Sequence, residues 1–515
     1  MFEFLKRTTA SAPNADPQPA ALAEKRRRMP TLGRAMVRMF QAGKQDRLQS
    51  DWPTMPLPTD DIIRRNQRVL VARAREQAVN NDFARAFLRM AKQNIVGPRG
   101  VQLQAQPKDA DGTVDNVAAD AIEAAFKEWA RAENCDVAGI QSWRALQQQA
   151  VTSAARDGEF IFLKIFGRDA GPSGFALQGI DPQRCPPDFD ENRRRDGTFV
   201  RSGIEFNRYG RRLAYYFTAT DEEETHVYSY GGRRFIRIPA DRVIHGFLHE
   251  MTSQKRGLPW MASALWRMNQ LKGFEDAALV NARTAAAKGG FFEWQDGYGP
   301  EAEEDEELFM EAEPGAFQEL PAGVRFKEWT PQYPSGDYPM YVKSMLRGIA
   351  SGVGVAYNNI ANDLEGVNFS SIRQGALDER EAWKDLQEWL IETLIEPVFR
   401  EWLPRELLRG ISLPNGAQLR PERIEKYRSV VWQPRRWAWI DPKSEVAAAV
   451  ASKNNLLTSP GQIIRDTGRD PDTVWREMSS DIKAMQAAGI PEKYIAQAMG
   501  QKQEGGENAP QSNEE

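Results

Sequence analysis

Trp383, Leu386, Leu390, Leu394, Val398 and Trp402 recur at steps of three or four residues, and only an α-helix puts such a series on one face. The pattern predicts a helix over about 369–403, and Pro397, which lacks a backbone donor, predicts a kink within it. Val342, Leu346, Ile349 and Val353 form a second stripe and predict a helix over about 338–356. A third segment, WMASALWRMNQLKGFEDAALVNARTAAAK, follows Gly257 and Pro259, where a first-turn proline has no helical hydrogen bond to lose. It stops at Gly289-Gly290. As one helix it would be a rod of about 45 Å. The polar stretch NDLEGVNFSS, Asn362 to Ser371, belongs to neither neighbouring pattern and reads as a flexible loop over about 357–369. Ser370 and Ser371 read as N-caps of the next helix.

The remaining chain alternates in period. Helical spacing is expected over 61–79, with a break at Asn80-Asn81, and again over 82–95, 117–132 and 141–156. GPRG at 97–100 stops a helix and opens a short strand at Val101. From Glu159 the period shortens to two: EFIFLKIF, RSGIEFNRYGRRLAYYF, RRFIRIP and RVIHGF read as strands, with NRYG at 207–210 as a hairpin turn. Residues 291–335 read as an irregular insert containing the acidic run EAEEDEE at 301–307. From Asp441 the chain is helical again, with Ser459-Pro460 and Asp470-Pro471 as helix starts. The two ends, 1–21 and 501–515, have the composition of disordered segments. The fold class expected is α+β, mostly helical with a β-rich middle.

Several chemistries find no support. Gly43-Lys44 is followed by Gln45 and preceded by no glycine-rich run, so there is no phosphate-cradling loop of the motor ATPases. His245, His249 and Glu250 in HGFLHE could meet a metal, but two histidines at a strand end without a third ligand are read as ordinary structure. Cys135 and Cys185 have no CxxC partners and read as small buried hydrophobes. Two cysteines build no disulfide framework, which points to a reducing compartment. No run reaches the ~18–20 apolar residues of a membrane span, and the N-terminus lacks the apolar core of a signal peptide. No catalytic set emerges, so no enzyme, cofactor or metal is expected. Lys and Arg number 68 against 72 Asp and Glu, a net charge of −4, unlike a protein that grips nucleic acid over a wide face. The exception is the basic segment 25–47. It reads as a solvated basic tail or as a nucleic-acid arm, and the second reading is the alternative function for the whole chain, a non-enzymatic nucleic-acid binder.

Two longer stretches carry a resemblance. QKRGLPWMASALWRMNQLKGFEDAALVNARTAAAKGGFF and MLRGIASGVGVAYNNIANDLEGVNFSSIRQGALDERE, together with NNDFARAFLRMAKQNIVGPRGVQLQ, GIEFNRYGRRLAYYF and WIDPKSEVAA, resemble in order the lambda-type portal proteins of tailed bacteriophages. One departure is Phe369, where that family usually has tyrosine, so a role for the hydroxyl there is lost. The resemblance implies a homo-oligomeric ring, a dodecamer in that family, at one capsid vertex of the virion, assembled in the host cytoplasm. Double-stranded DNA would enter and leave through it. Its partners would be the terminase large subunit, head–tail connector proteins, and capsid and scaffolding proteins, with no membrane. It implies a flexible arm over 1–59, a wing over 60–250 and 370–440, stem helices over 251–289 and 337–357, a clip over 290–336, a tunnel loop over 358–369 and a helical crown over 441–500. The implied channel residues of the tunnel loop are Asn358, Asn359, Asn362, Asp363, Glu365, Asn368, Ser370 and Arg373. On the stem, Lys272, Lys288, Lys343 and Arg347 are the cations placed nearest the bore, unless neighbouring carboxylates neutralise them. Glu303, Glu304, Asp305 and Glu306 are the implied docking residues of the clip.

Overall fold

The computed structural model describes residues 47, 51, 53–218, 235–286, 290–294, 323–328, 338–365, 368–437, 442–492 and 494–495. The chain divides at Leu57 into two compact units, and the helices and strands of the described residues belong to the second, Pro58–Glu515. The basic segment up to residue 46, the acidic run at 301–307, Lys288 and both chain ends lie outside the described residues.

Helices α1 (Thr59–Asn80) and α2 (Asp82–Ile95) are split at Asn81, whose extended backbone breaks one helix while its side chain accepts from Phe83 and Ala84 to cap the next. The short strand β1 (Gln102–Ala105), α3 (Asn116–Trp129), the single turn α4 (Ala132–Cys135) and α5 (Trp143–Asp157) come next. Gly158, in the left-handed region, ends α5. The β-rich middle then begins: β2 (Glu159–Phe166), β3 (Phe175–Ile180), β4 (Phe199–Arg201), β5 (Ile204–Phe206), β6 (Arg212–Thr218), β7 (Phe235–Pro239) and β8 (Val243–Phe247). Two antiparallel sheets result, ordered β3-β2-β8 and β4-β5-β6-β7.

β2 explains how they stack. Successive strand residues point to opposite faces, so Phe160 and Phe162 enter a core shared with the helices, whereas Ile161 and Leu163 enter a second core with Ile204, Phe206, Tyr215 and Phe217 of the other sheet. A strand covered on both sides reads as the unbroken apolar run EFIFLKIF. Layers of helix, sheet and sheet with antiparallel strands make an α+β fold.

The next segment departs from expectation. The long helix α6 spans Leu265–Ala286, about 33 Å at 1.5 Å per residue, because residues 260–264 form turns instead of its first coils. Docking holds them: the Trp260 amide donates to the Ala155 carbonyl at 3.1 Å. A Cβ on Gly257 would stand 2.0 Å from the Gly158 oxygen, so the two glycines permit this close approach. The expected irregular insert carries a two-stranded ribbon, β9 (Gly290–Trp294) paired antiparallel with β10 (Val324–Glu328). Helix α7 (Tyr338–Val353) returns along α6, joined by Ser263 Oγ donating to the Gly352 carbonyl at 2.8 Å and by Phe274 against Tyr341 at 4.5 Å between ring centroids. Leu346 and Ile349 of its stripe are buried, with Val342 and Val353 packed beside them.

The expected loop contains a helix of its own, α8 (Tyr357–Ala361). Helix α9 (Phe369–Leu390) starts one residue before Ser370, so Ser370 and Ser371 occupy its first turn instead of capping it. A π-helical turn at Ile391–Ile395 leads into α10 (Glu396–Arg409), with Pro397 in its first turn. The widened turn falls where the proline removes one backbone donor, which relocates the predicted irregularity into the residues before Pro397. Beyond come α11 (Ile424–Tyr427), β11 (Val430–Gln433) paired with β1, then α12 (Pro442–Asn454), α13 (Pro460–Asp466) and α14 (Pro471–Ala487). Ser459 and Asp470 cap α13 and α14 as their sequence predicts.

Candidate functional site

The junction of α7, α8 and α9 is built around Gly354, which takes a positive φ of 72° to end α7. The Val355 amide reaches back to the Ala350 carbonyl at 3.1 Å, and the Val355 side chain is buried. Helix α8 rests on buried Ile360 and ends at Asn362, which adopts φ 51°, a left-handed conformation that asparagine tolerates. Asp363 Oδ1 then accepts from the Glu365 amide at 3.0 Å and closes a turn.

Two clusters pin this segment. In the first, the Tyr357 hydroxyl donates to Asp363 Oδ2 at 2.7 Å, and Lys343 Nζ of α7 sits 3.3 Å from Asp363 and 3.0 Å from Glu365. Hydrogen bonds to Glu365 and Asp363 raise the Lys343 pKa, while the bond from Tyr357 lowers that of Asp363. Arg347 lies over the Tyr357 ring, 5.5 Å from its centroid. In the second, Glu379 of α9 accepts from the Ala356 amide at 3.0 Å, from Asn359 Nδ2 at 2.7 Å and from the buried Trp383 indole at 3.0 Å. Where a loop is expected over about 357–369, the described residues 357–365 form a hydrogen-bonded helix and turn. Tyr357 and Glu379 went unnoticed in the sequence, although Glu379 and Trp383 stand one helical turn apart on one face.

The other expected residues are spread over several elements. Asn358 is half-buried on α8, Asn362 and Asn368 are exposed, Ser370 lies in α9, and Arg373 comes within 4.0 Å of Glu445. Lys272 sits 3.5 Å from Glu76. For Lys272 and Lys343, then, the carboxylate-paired alternative is the one the structure adopts. Lys288, Glu303, Glu304, Asp305 and Glu306 lie outside the described residues.

A third cluster holds the root of α6. Arg256, fully buried, donates from Nε to both Glu159 oxygens at 2.9 Å and from Nη1 to the Cys185 and Ser202 carbonyls at 2.9 and 2.8 Å. Glu159 also accepts from the Gly257 amide at 3.0 Å and from Gln67 Nε2 at 3.1 Å, and its other neighbour is His245 Nε2 at 2.9 Å. Burial opposes a charge on Glu159, but Arg256 and His245 outweigh it and hold the carboxyl well below the usual range. Burial pushes the His245 pKa down to about 4, against the pull of Glu159. His249 points elsewhere, its ring 4.3 Å from that of Phe247. Among the described residues no group of three His, Cys, Asp or Glu is arranged to hold a metal ion. Both cysteines are buried and free, and burial raises their thiol pKa values to about 12 for Cys135 and about 11 for Cys185.

Helices α6 and α7 run back along each other, with a ribbon in the connection between them and a pinned turn after α7. The sequence pattern of the phage portal proteins, lambda family, matches residues 45–387. The chain belongs to that family. A probable portal protein of Halomonas phage phiHAP-1 is 32% identical over 492 residues, 94% of this chain and 92% of the relative. Portal protein B of Escherichia phage lambda is 23% identical over 467 residues, covering 83% and 86%. Among solved structures, a chain from the neck of an empty gene transfer agent particle computed with C6 symmetry shares 15% identity, with 82% and 98% coverage and a TM-score of 0.41. One from the native particle's neck, computed with C12 symmetry, shares 13%, with 78% and 94% coverage and a TM-score of 0.40. The role of a phage portal protein is that of head–tail connector, the channel for double-stranded DNA at one capsid vertex.

Proposed function

We propose that copies of this chain close into a ring, a dodecamer on the family's pattern, in which α6 and α7 form the stem around the bore. The ribbon β9–β10 and its insert form the clip, where terminase and connector proteins dock; α8 with its flanking turns forms the tunnel loop; and α12–α14 form the crown. The observation that carries this reading is the antiparallel α6–α7 pair with apolar side chains left on its outside: Trp266 is 69% exposed and Met340 74%. A head-to-tail ring contact would cover such side chains. The electrostatics of the turn suit passage without capture. Each phosphate neutralised by a cation adds a salt slope of about −0.9 and holds the duplex. Lys343 is outnumbered by Asp363 and Glu365 instead, and rotational symmetry turns that slightly acidic set into a belt. Amides such as Asn362 and Asn368 add polar contact without charge.

Averaged electron micrographs of the purified chain should show rings with a hole of duplex width, and a monomer under assembly conditions would defeat the reading. Deleting 358–368 should leave the rings intact and reduce DNA packaging or retention. Normal virus yield from that deletion would remove the tunnel-loop assignment while leaving the ring in place.

A further inference from the structure

Arg85, Arg89 and Lys92 stand at steps of four and three on α2, one stripe of the helix, with Arg85 and Arg89 facing solvent. Among the described residues none of the three belongs to an ion pair. The stripe lines a groove between α2 and α5. One part, about 580 Å³, is bounded by Asp82, Arg85, Leu88, Arg89, Lys92 and Thr152. The other, about 430 Å³, shares Lys92 and Thr152 and runs on past Gln148, Gln149 and Ser153. The carboxylates beside the second part are already matched, because Arg75 bridges Asp157 and Asp181 and Arg156 pairs with Asp157. The groove therefore presents three unmatched cations against Asp82 alone, leading on to amide and hydroxyl groups.

We propose that this groove binds an acidic, Glu/Asp-rich peptide segment of a partner protein. Carboxylates would seat on Arg85, Arg89 and Lys92, with the guanidinium groups offering paired donors. The peptide backbone would take a hydrogen bond from the Gln149 amide and offer its own N–H to Thr152 Oγ1, whose proton is already given to the Gln148 carbonyl. A concave site of a few hundred cubic ångströms fits an extended peptide, whereas a duplex is far wider and meets proteins on a broad basic face. Among the described residues that line it, the groove carries no aromatic platform on which unpaired bases could stack. The binding does not depend on the ring reading, since the groove lies within one subunit.

The test is fluorescence anisotropy of a short labelled poly-glutamate peptide with the full-length protein, repeated with a mixed-sequence DNA duplex as competitor. Saturable peptide binding that weakens with salt, falls at least tenfold in the R89E/K92E double variant and survives in K127E is expected. Circular dichroism and sedimentation of the double variant check that it folds and assembles as the parent does. Unchanged affinity in a folded double variant would overturn the proposal, as would the absence of saturable peptide binding. Displacement of the peptide by duplex DNA through the same residues would reassign the groove to nucleic acid.

Discussion

Glu159 and Arg256 carry full opposite charges without contact with solvent, and each is tolerable only beside the other. Ninety-seven positions separate them, and they join β2 to the segment that leads into α6. His245 completes the cluster as a neutral ring. Its pKa falls from 6.5 in the unfolded chain to about 4 in the fold, so the unfolded state binds the extra proton between those values. The stability this group contributes is fully present above pH 6.5 and declines as pH drops toward 4, by about 3 kcal/mol at most. Glu159, also depressed, adds loss of the same sign below its ordinary carboxylate range. Urea unfolding of the protein across pH 4–7 should show this decline, and H245Q should flatten it. Nothing in QKRG distinguishes Arg256 from a surface arginine, because its burial arises from residues far along the chain.

At the scale of elements, α8 is too short to be stable by its own hydrogen bonds, since the first helical turn fixes several residues for one bond. It persists because Ile360 is buried and Glu379 collects three donors from the turn and from α9. Replacing Glu379 with alanine leaves the half-buried Ala356 amide and the buried Trp383 indole unmatched, while exposed Asn359 turns to water, a local cost of about 1–3 kcal/mol. Hydrogen exchange measured by mass spectrometry should then quicken across 355–362 while the amides of α5 and β2 stay protected. Equal protection in the variant would show that Ile360 alone holds the turn. The helices on either side were legible from apolar spacing. The turn between them was not, because polar residues give no period and their partners are set by packing.

For the whole molecule, the apolar side chains left outside matter most. Scattered exposed hydrophobics are ordinary, but Trp266 and Met340 belong to two helices that lie side by side. On the proposed ring, burying each would contribute about 1.5–3 kcal/mol at every join. Trp266→Glu with Met340→Glu should therefore give a folded chain that sediments as monomer, and intact rings from that variant would place the subunit contact elsewhere. By itself the sequence determined the helical stripes, the alternating strands, the caps at Ser459 and Asp470 and the family to which the chain belongs. Each of those is written in residues a few positions apart or in their order along the chain. Only the tertiary structure decided that α6 begins at Leu265, that β9 pairs with β10, that α8 exists, and that Lys343 faces two carboxylates. Those outcomes depend on which distant groups meet and shed their water together, and local propensity carries no record of such meetings.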